Sequence, residues 1–532
     1  VKRYLLFAVL TAHSTLVTLC GQSAGPDPDR DSYRNPILHA DYSDPDVLRV
    51  GDDFYLTASS FNAAPGLPIL HSRDLVHWQL INHALPRQVP LDTFAQPQHG
   101  NGVWAPAIRF HDGYFYIYWG DPDFGIYMVR TQDPAGAWED PVLVRAAKGW
   151  IDPCPLWDDD GKAYLVHAFA GSRAGIKSVV VVHEMSPDGR ELLDDGVLVF
   201  DGHAAHGTIE GTKFHKRNGY YYILAPAGGV ATGWQTVLRS RNVYGPYSEQ
   251  VVLHQGDTDV NGPHQGAWVE LANGDDWFVH FQEKQPYGRI VHLQPAHWED
   301  DWLRIGVDHN QDGIGEPVSS HAVPRTTHRS TPAAQVADDE FDAPRLGLQW
   351  QWQANPDATW AFPTALGYLR LNPVVTAGMR NLWDAPHLLL AKLPAESFTA
   401  TTKVTFYPHF DGEHTGLIMM GRDYAYLAVE RVEGQLRLKS VQCLNAENGA
   451  PERTLATTPL EQPEVYLRLT VLPGGMTRFA YSIDNKQFTP LGPPFQAREG
   501  KWIGAKMGLF ASRDRRENDG GYANYDWFRI TP

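Results

Sequence analysis

Cysteine is nearly absent: Cys20, Cys154 and Cys443 are the only three in 532 residues. With Cys20 in the N-terminal segment, at most one disulfide is left to the folded chain. Cys154 and Cys443 fall in different predicted domains, so stability must come from the size of the core rather than from covalent staples. No stretch approaches the roughly 20 apolar residues of a membrane-spanning helix. Positive charge is in deficit, with 45 Lys and Arg against 62 Asp and Glu, a net charge of −17. Such a surface repels polyphosphate, which argues against nucleic acid as a partner. It also repels an anionic membrane or a pectic acid and favours a neutral ligand. There is no Cys-pair zinc pattern, no phosphate-cradling Gly-rich loop and no nucleophile elbow. Helical periodicity is scarce.

Aromatic residues are plentiful, at 12% with 17 Trp and 23 Tyr. Flat apolar faces with polar handles suit sugar rings, and they also fill β-cores. At the N-terminus, Lys2 and Arg3 precede the apolar run Tyr4–Leu10 and a more polar stretch to Cys20. Residues 1–24 read as a signal peptide and imply export to the periplasm or beyond the cell. A lipid anchor on Cys20 is the alternative, against which Leu19 is a poor fit. Residues 25–32 read as a linker.

From 33 to 325 the chain is short apolar-aromatic runs broken by Gly, Asp, Asn and Pro. Five segments begin at Asp44, Trp104, Asp152, Glu210 and His264, spaced by 60, 48, 58 and 54 residues. Each is followed by a turn and a second strand, as in Asp112-Gly113-Tyr114 and Asn218-Gly219-Tyr220. Asn-Gly or Asp-Gly between β-rich runs is a strong hairpin signal. A period near 50 with several strands per unit predicts a five-bladed β-propeller, with a β-sandwich carrying chance hairpins as the alternative. In a propeller the first strand of each blade lines the hub, so its opening residues converge. A polar connector, 326–337, leads to a second domain, 338–532. There Glu464-Val465-Tyr466-Leu467-Arg468-Leu469 alternates as a half-buried strand does, which predicts a concanavalin-like (jelly-roll) β-sandwich. The fold class is therefore all-β.

Asp44, Asp152 and Glu210 each open a predicted inner strand. Breaking an acetal needs one carboxylic acid to protonate the leaving oxygen and one carboxylate to activate water or attack. Three carboxyls at one mouth repel, which raises the proton affinity of the least solvated. Asp44 before Pro45 and Asp152 before Pro153 also read as ordinary turn residues. Glu210, between Ile209 and Gly211 at a strand entry, does not.

In order and spacing, Ser43-Asp44-Pro45-Asp46, Trp104-Ala105-Pro106, Ile151-Asp152-Pro153, Ile209-Glu210-Gly211 and Gly288-Arg289 resemble the motifs of glycoside hydrolase family 43. Phe61 and the stretch Pro65–Trp78 fit as well, and the C-terminal region resembles the sandwich of the β-xylosidase branch. The resemblance implies an exo-acting, inverting hydrolase that releases terminal xylose from xylan-derived oligosaccharides of the plant cell wall. In it Asp44 is the general base, Glu210 the general acid, Asp152 the residue that tunes and orients the acid, and Arg289 the partner of the base. Inversion implies base and acid carboxyls roughly 6.5–9.5 Å apart. Phe61 and Trp104 would wall the sugar site, with blade packing as their plain alternative.

The chemistry needs no cofactor, though structural calcium is a candidate at two places. His264 matches a family histidine that reaches calcium through water. Asp308, Asn310 and Asp312 have the opening spacing of an EF-hand loop, but position twelve is Ser319 and the segment reads as a turn. After the acid strand, Ala225–Val230 lacks an acidic residue that some members carry. Thr232-Gly233-Trp234-Gln235 resembles a branch with both xylosidases and α-L-arabinofuranosidases, so arabinose is the alternative sugar. A retaining fructan hydrolase would need Asn-Asp-Pro-Asn and Arg-Asp-Pro motifs, and neither occurs. A non-catalytic glycan-binding protein is the reading from another class. The sandwich turn His409-Phe410-Asp411-Gly412 is the expected source of any wall closing the cavity.

Overall fold

A computed structural model describes residues 31–328, 338–516 and 518–532. The expected signal peptide, Cys20, most of the 25–32 linker and residues 329–337 of the second linker lie outside the described residues. Asp-Gly and Asn-Gly pairs act as expected at two hairpins. Asp112 and Gly113 take φ of 47° and 80°, and Asn218 and Gly219 take 51° and 73°. Both central residues are left-handed, the geometry whose twist matches the flanking strands.

Those hairpins build five four-stranded antiparallel sheets, each with its strands in chain order. Their first strands are Asp46–Val50, Trp104–His111, Trp150–Trp157, Lys213–Arg217 and His264–Glu270. This is the five-bladed propeller. Its core is a set of wedges between neighbouring blades. Ile69 and Leu85 of blade one meet Ile117 and Trp119 of blade two. Val47 and Leu56 of blade one meet Val279 and Val291 of blade five. The ring closes through a two-stranded sheet in which Ser32–Arg34 pairs with Ser320–Ala322. Asn35 fastens the closure, donating to the carbonyls of Leu293 and Val318 at 2.8 Å each and accepting the Leu293 N–H at 2.8 Å.

Each blade enters its inner strand through one left-handed residue: Asp44 (φ 54°), Ala105 (33°), Asp152 (58°), Gly211 (64°) and Gln265 (40°). Four of the five are not glycine, so the ring stores backbone strain at its hub, where strained residues commonly serve function. Two residues further on, buried side chains join blade to blade. The Asp46 carboxylate accepts the Ile108 N–H at 2.7 Å, and the Cys154 thiol accepts the Phe214 N–H at 3.1 Å. Cys154 and Cys443 are buried and unbridged.

The second domain stacks two large, mainly antiparallel sheets. Glu464–Val471 alternates half-buried and buried along its length, as expected. Its Val465, Leu467 and Leu469 pack with Leu417, Leu427 and Leu509 of the facing sheet. The domains are joined by backbone bonds. Ala64 and Trp352 exchange N–H···O bonds of 3.1 and 2.7 Å, and Ala505 N–H donates to Pro286 O at 2.7 Å.

Asn35→Ala removes three hydrogen bonds at the ring closure. It is expected to lower stability by about 3 kcal/mol, read as a lower urea midpoint, with activity per folded molecule unchanged.

Candidate active site

The left-handed entries turn Asp44 and Asp152 into the hub, and Glu210 stands one residue before the fourth such entry, Gly211. All three line one cavity of about 440 Å³ together with Phe61, Trp104 and Arg289. Asp44 is the most tightly held. Arg289 Nη1 donates to its Oδ1 at 3.0 Å and its Oδ2 at 3.2 Å. Ser59 and Ser43 hydroxyls donate to Oδ2 at 2.5 and 3.0 Å. Ser59 Oγ in turn accepts the Ala105 N–H at 2.7 Å, so blade two helps to orient the blade-one carboxylate. Phe61 and Trp104 meet edge to face, with ring centres 6.5 Å apart.

Asp152 and Glu210 form a pair with unequal surroundings. Asp152 Oδ2 accepts the Gly211 N–H at 2.6 Å and the Gln265 side-chain N–H at 3.3 Å. Its main-chain carbonyl accepts from Thr212 Oγ1 at 2.6 Å. The amide it holds directly follows Glu210, whose own N–H donates to Pro226 O at 3.0 Å. The Glu210 side chain keeps 22% exposure to the cavity, and His264 Nε2 stands 3.7 Å from its Oε1. Both carboxyls are pushed up in pKa, chiefly by removal from bulk water. The negative charge of Asp44 adds to the rise for both, and that of Asp152 adds to it for Glu210. Asp152 has two donors to stabilise its anion and Glu210 has none, so Glu210 holds a proton more tightly than Asp152 does.

The hub thus presents an ion-paired carboxylate, a hydrogen-bonded carboxyl and a third carboxyl with raised proton affinity around one cavity. The profile described as "Glycosyl hydrolases family 43" matches residues 33–303. The profile of the "Beta xylosidase C-terminal Concanavalin A-like domain" matches residues 338–531. The chain belongs to glycoside hydrolase family 43. It is 40% identical over 483 residues to a putative beta-xylosidase of Xylanibacter ruminicola, covering 90% of this chain and 86% of the relative. It is 30% identical over 528 residues to a non-reducing end alpha-L-arabinofuranosidase of Bacteroides ovatus, covering 93% and 94%. The crystal structure of a xylan beta-1,4-xylosidase from Bacillus halodurans superposes with a TM-score of 0.82 at 26% identity, covering 94% of this chain and all of that one. Members of family 43 hydrolyse glycosidic bonds without a cofactor, and this chain is accordingly a glycosidase.

Two parts of this family 43 hub were not foreseen. Ser59 orients Asp44 from a loop with no motif of its own. The sandwich reaches the cavity through Trp502, not through the expected turn at His409. That turn is held inside its own domain, with Glu413 Oε2 accepting the His409 N–H at 2.6 Å and the His409 ring meeting Asp519 O at 3.1 Å. Trp502 instead lies on the segment that docks against blade five, its ring 6.4 Å from Trp104. Of Thr232–Gln235, only Thr232 lines the cavity.

Neither calcium candidate assembles a direct site. His264 is fully buried with both ring nitrogens unpartnered, and burial lowers its pKa to about 3, so it is neutral. One imidazole is not the oxygen-rich shell that calcium takes. The 308–313 loop is a turn closed on its own amides. Asp308 Oδ2 accepts the Gly313 N–H at 2.9 Å, Asn310 Oδ1 the Asp312 N–H at 3.0 Å, and Asp312 Oδ1 the Ile314 N–H at 2.8 Å. Among the described residues no group of three or more His, Cys, Asp or Glu converges as a metal-ligand set.

Gly211 has a left-handed φ, and a Cβ there would overlap Gln265 Cγ and stand 2.8 Å from Pro226. Gly211→Ala is expected to displace Glu210 and lower kcat/KM about 100-fold, with circular dichroism reporting an intact fold.

Proposed function

We propose that the protein is an exo-acting, inverting β-xylosidase that removes terminal xylose from xylan-derived oligosaccharides. The observation that carries the reading is the convergence of Asp44, Asp152 and Glu210 on a single cavity. Asp44, fixed by Arg289, Ser43 and Ser59, takes a proton from water as that water attacks the anomeric carbon. Glu210 gives its proton to the glycosidic oxygen as the C–O bond breaks. The products are a sugar of inverted configuration and a shortened oligosaccharide bearing a new hydroxyl. Asp152 holds the amide after Glu210, and its charge keeps Glu210 protonated. The placement of Trp502 over one side of the cavity supports a pocket for a chain end. Phe61 and Trp104 supply the apolar faces for the sugar ring.

Release of arabinose is a second reading, favoured by the likeness to the arabinofuranosidase of Bacteroides ovatus. Xylopyranose and arabinofuranose place similar hydroxyls in similar space. No helix among the described residues is long and apolar enough to cross a membrane. Export, whether as a free or a lipid-anchored protein, rests on the sequence of residues 1–24 alone and agrees with a polymeric substrate outside the cell.

The test compares nitrophenyl β-xylopyranoside with nitrophenyl α-L-arabinofuranoside. A kcat/KM at least about tenfold higher on the xyloside supports the first reading, and the reverse order supports the second. Glu210→Ala should slow xylobiose hydrolysis by about 10⁴-fold and nitrophenyl xyloside hydrolysis far less, because nitrophenolate leaves without a proton. Equal losses on both substrates would remove Glu210 as the acid.

The pH profile follows from the same pair. The Asp152 charge raises the Glu210 pKa, so the protonated, active acid persists to higher pH than an ordinary glutamic acid. Asp152→Asn keeps an oxygen for the Gly211 N–H but removes the charge. The alkaline limb of kcat/KM should therefore move to lower pH.

A further inference from the structure

Asp41 lies three residues before Asp44, is buried, and does not line the cavity. Its carboxylate is divided between the two domains. Oδ1 accepts the main-chain N–H of Arg289 at 2.8 Å, and Oδ2 accepts the N–H of Gly504 at 3.1 Å. Its own carbonyl accepts from Lys392 Nζ of the sandwich, whose ammonium sits 3.9 Å from the Tyr42 ring centre. The next residue, Tyr42, donates its N–H to Arg289 O at 3.0 Å.

The seam around Asp41 has no slack. A Cβ at Gly288 would stand 2.5 Å from Asp41 Oδ1 and 2.6 Å from Gly504 N. On the propeller side this seam leads directly to the Arg289 side chain, which grips Asp44. On the sandwich side it leads, two residues away, to Trp502, which faces the cavity. The Arg289 guanidinium carbon is 5.8 Å from the Trp502 ring centre, so the two ends of the seam meet again at the cavity wall.

We propose that Asp41 is a positioning residue that sets the Trp502 wall in register with the Arg289–Asp44 pair, so that the sandwich domain completes the reaction site through it. This rests on the reading of Asp44 as the base. Hydrogen bonds from two backbone amides to one carboxylate are stronger than those to a neutral acceptor. Asparagine has one oxygen for two N–H groups and turns an N–H of its own toward the other. Alanine leaves both amides buried and unpaired.

The experiment is a double-mutant cycle on the full chain. Asp41→Asn, Asp41→Ala, Trp502→Ala and both double variants are assayed for kcat and KM on nitrophenyl β-xylopyranoside and xylobiose, with melting temperatures alongside. Asp41→Asn is expected to lower kcat/KM about 10-fold and Asp41→Ala about 100-fold, with both kcat and KM changing. In the Trp502→Ala background the same substitutions should cost several-fold less. If Asp41→Ala fails to fold, the Asp41→Asn cycle carries the same test. A lower melting temperature with kcat and KM unchanged would make Asp41 a mere clamp and overturn the proposal. So would losses that multiply fully in the double variants. Neither outcome touches the roles of Asp44 and Glu210. Those fail separately, if Asp44→Asn and Glu210→Ala keep wild-type rates on xylobiose.

Discussion

Like charges do not gather in a water-poor cavity unless something holds them there. At this hub the opposing force is Arg289, whose guanidinium meets Asp44 directly while Asp152 and Glu210 share the remaining charge. Arg289 is bonded to Asp44, while Lys177 and buried Lys213 act on Glu210 and Asp152 from farther off. Removal from water still raises the proton affinity of Asp152 and Glu210, and hydrogen bonds set the difference between them. Two donors stabilise the Asp152 anion and none the Glu210 anion, so Glu210 binds its proton the more tightly. The division we propose, into a water-activating carboxylate and a proton donor, rests on that asymmetry rather than on residue type.

The fold exists to sustain that arrangement. Five wedges of apolar side chains fasten the blades, and each blade delivers its first strand through a left-handed residue. The strain is concentrated where function needs side chains turned inward, and the interblade bonds of Asp46 and Cys154 hold those entries in place. The sandwich belongs to the same mechanical unit. It is bonded to the propeller through Trp352 and Ala505, and it places an indole at the cavity.

Much of this was legible in the amino-acid sequence, because the informative features were local. Asp-Gly and Asn-Gly turns marked the hairpins, the spacing of strand openings marked the blades, and carboxylates at those openings marked the hub. What was not legible depended on distant contacts. Ser59 bonds Asp44 across 15 residues, and Gly504 bonds Asp41 across 463, with no pattern in either neighbourhood. Local spacing also leaves more than one reading open. Asp308, Asn310 and Asp312 have the rhythm of a calcium loop, yet a turn that binds its own amides needs the same residues. The turn at His409 was the expected wall, but Glu413 claims its amide and Trp502 of the same domain lines the cavity instead.

Proton NMR of the sugar first released from nitrophenyl β-xylopyranoside, whose aglycone adds no second sugar, addresses the central claim directly. A water activated by Asp44 on the face opposite the leaving group must deliver α-xylose first, with the β-anomer growing in only by mutarotation. Initial appearance of β-xylose would mean a covalent intermediate and would contradict the assignment of Asp44 as base.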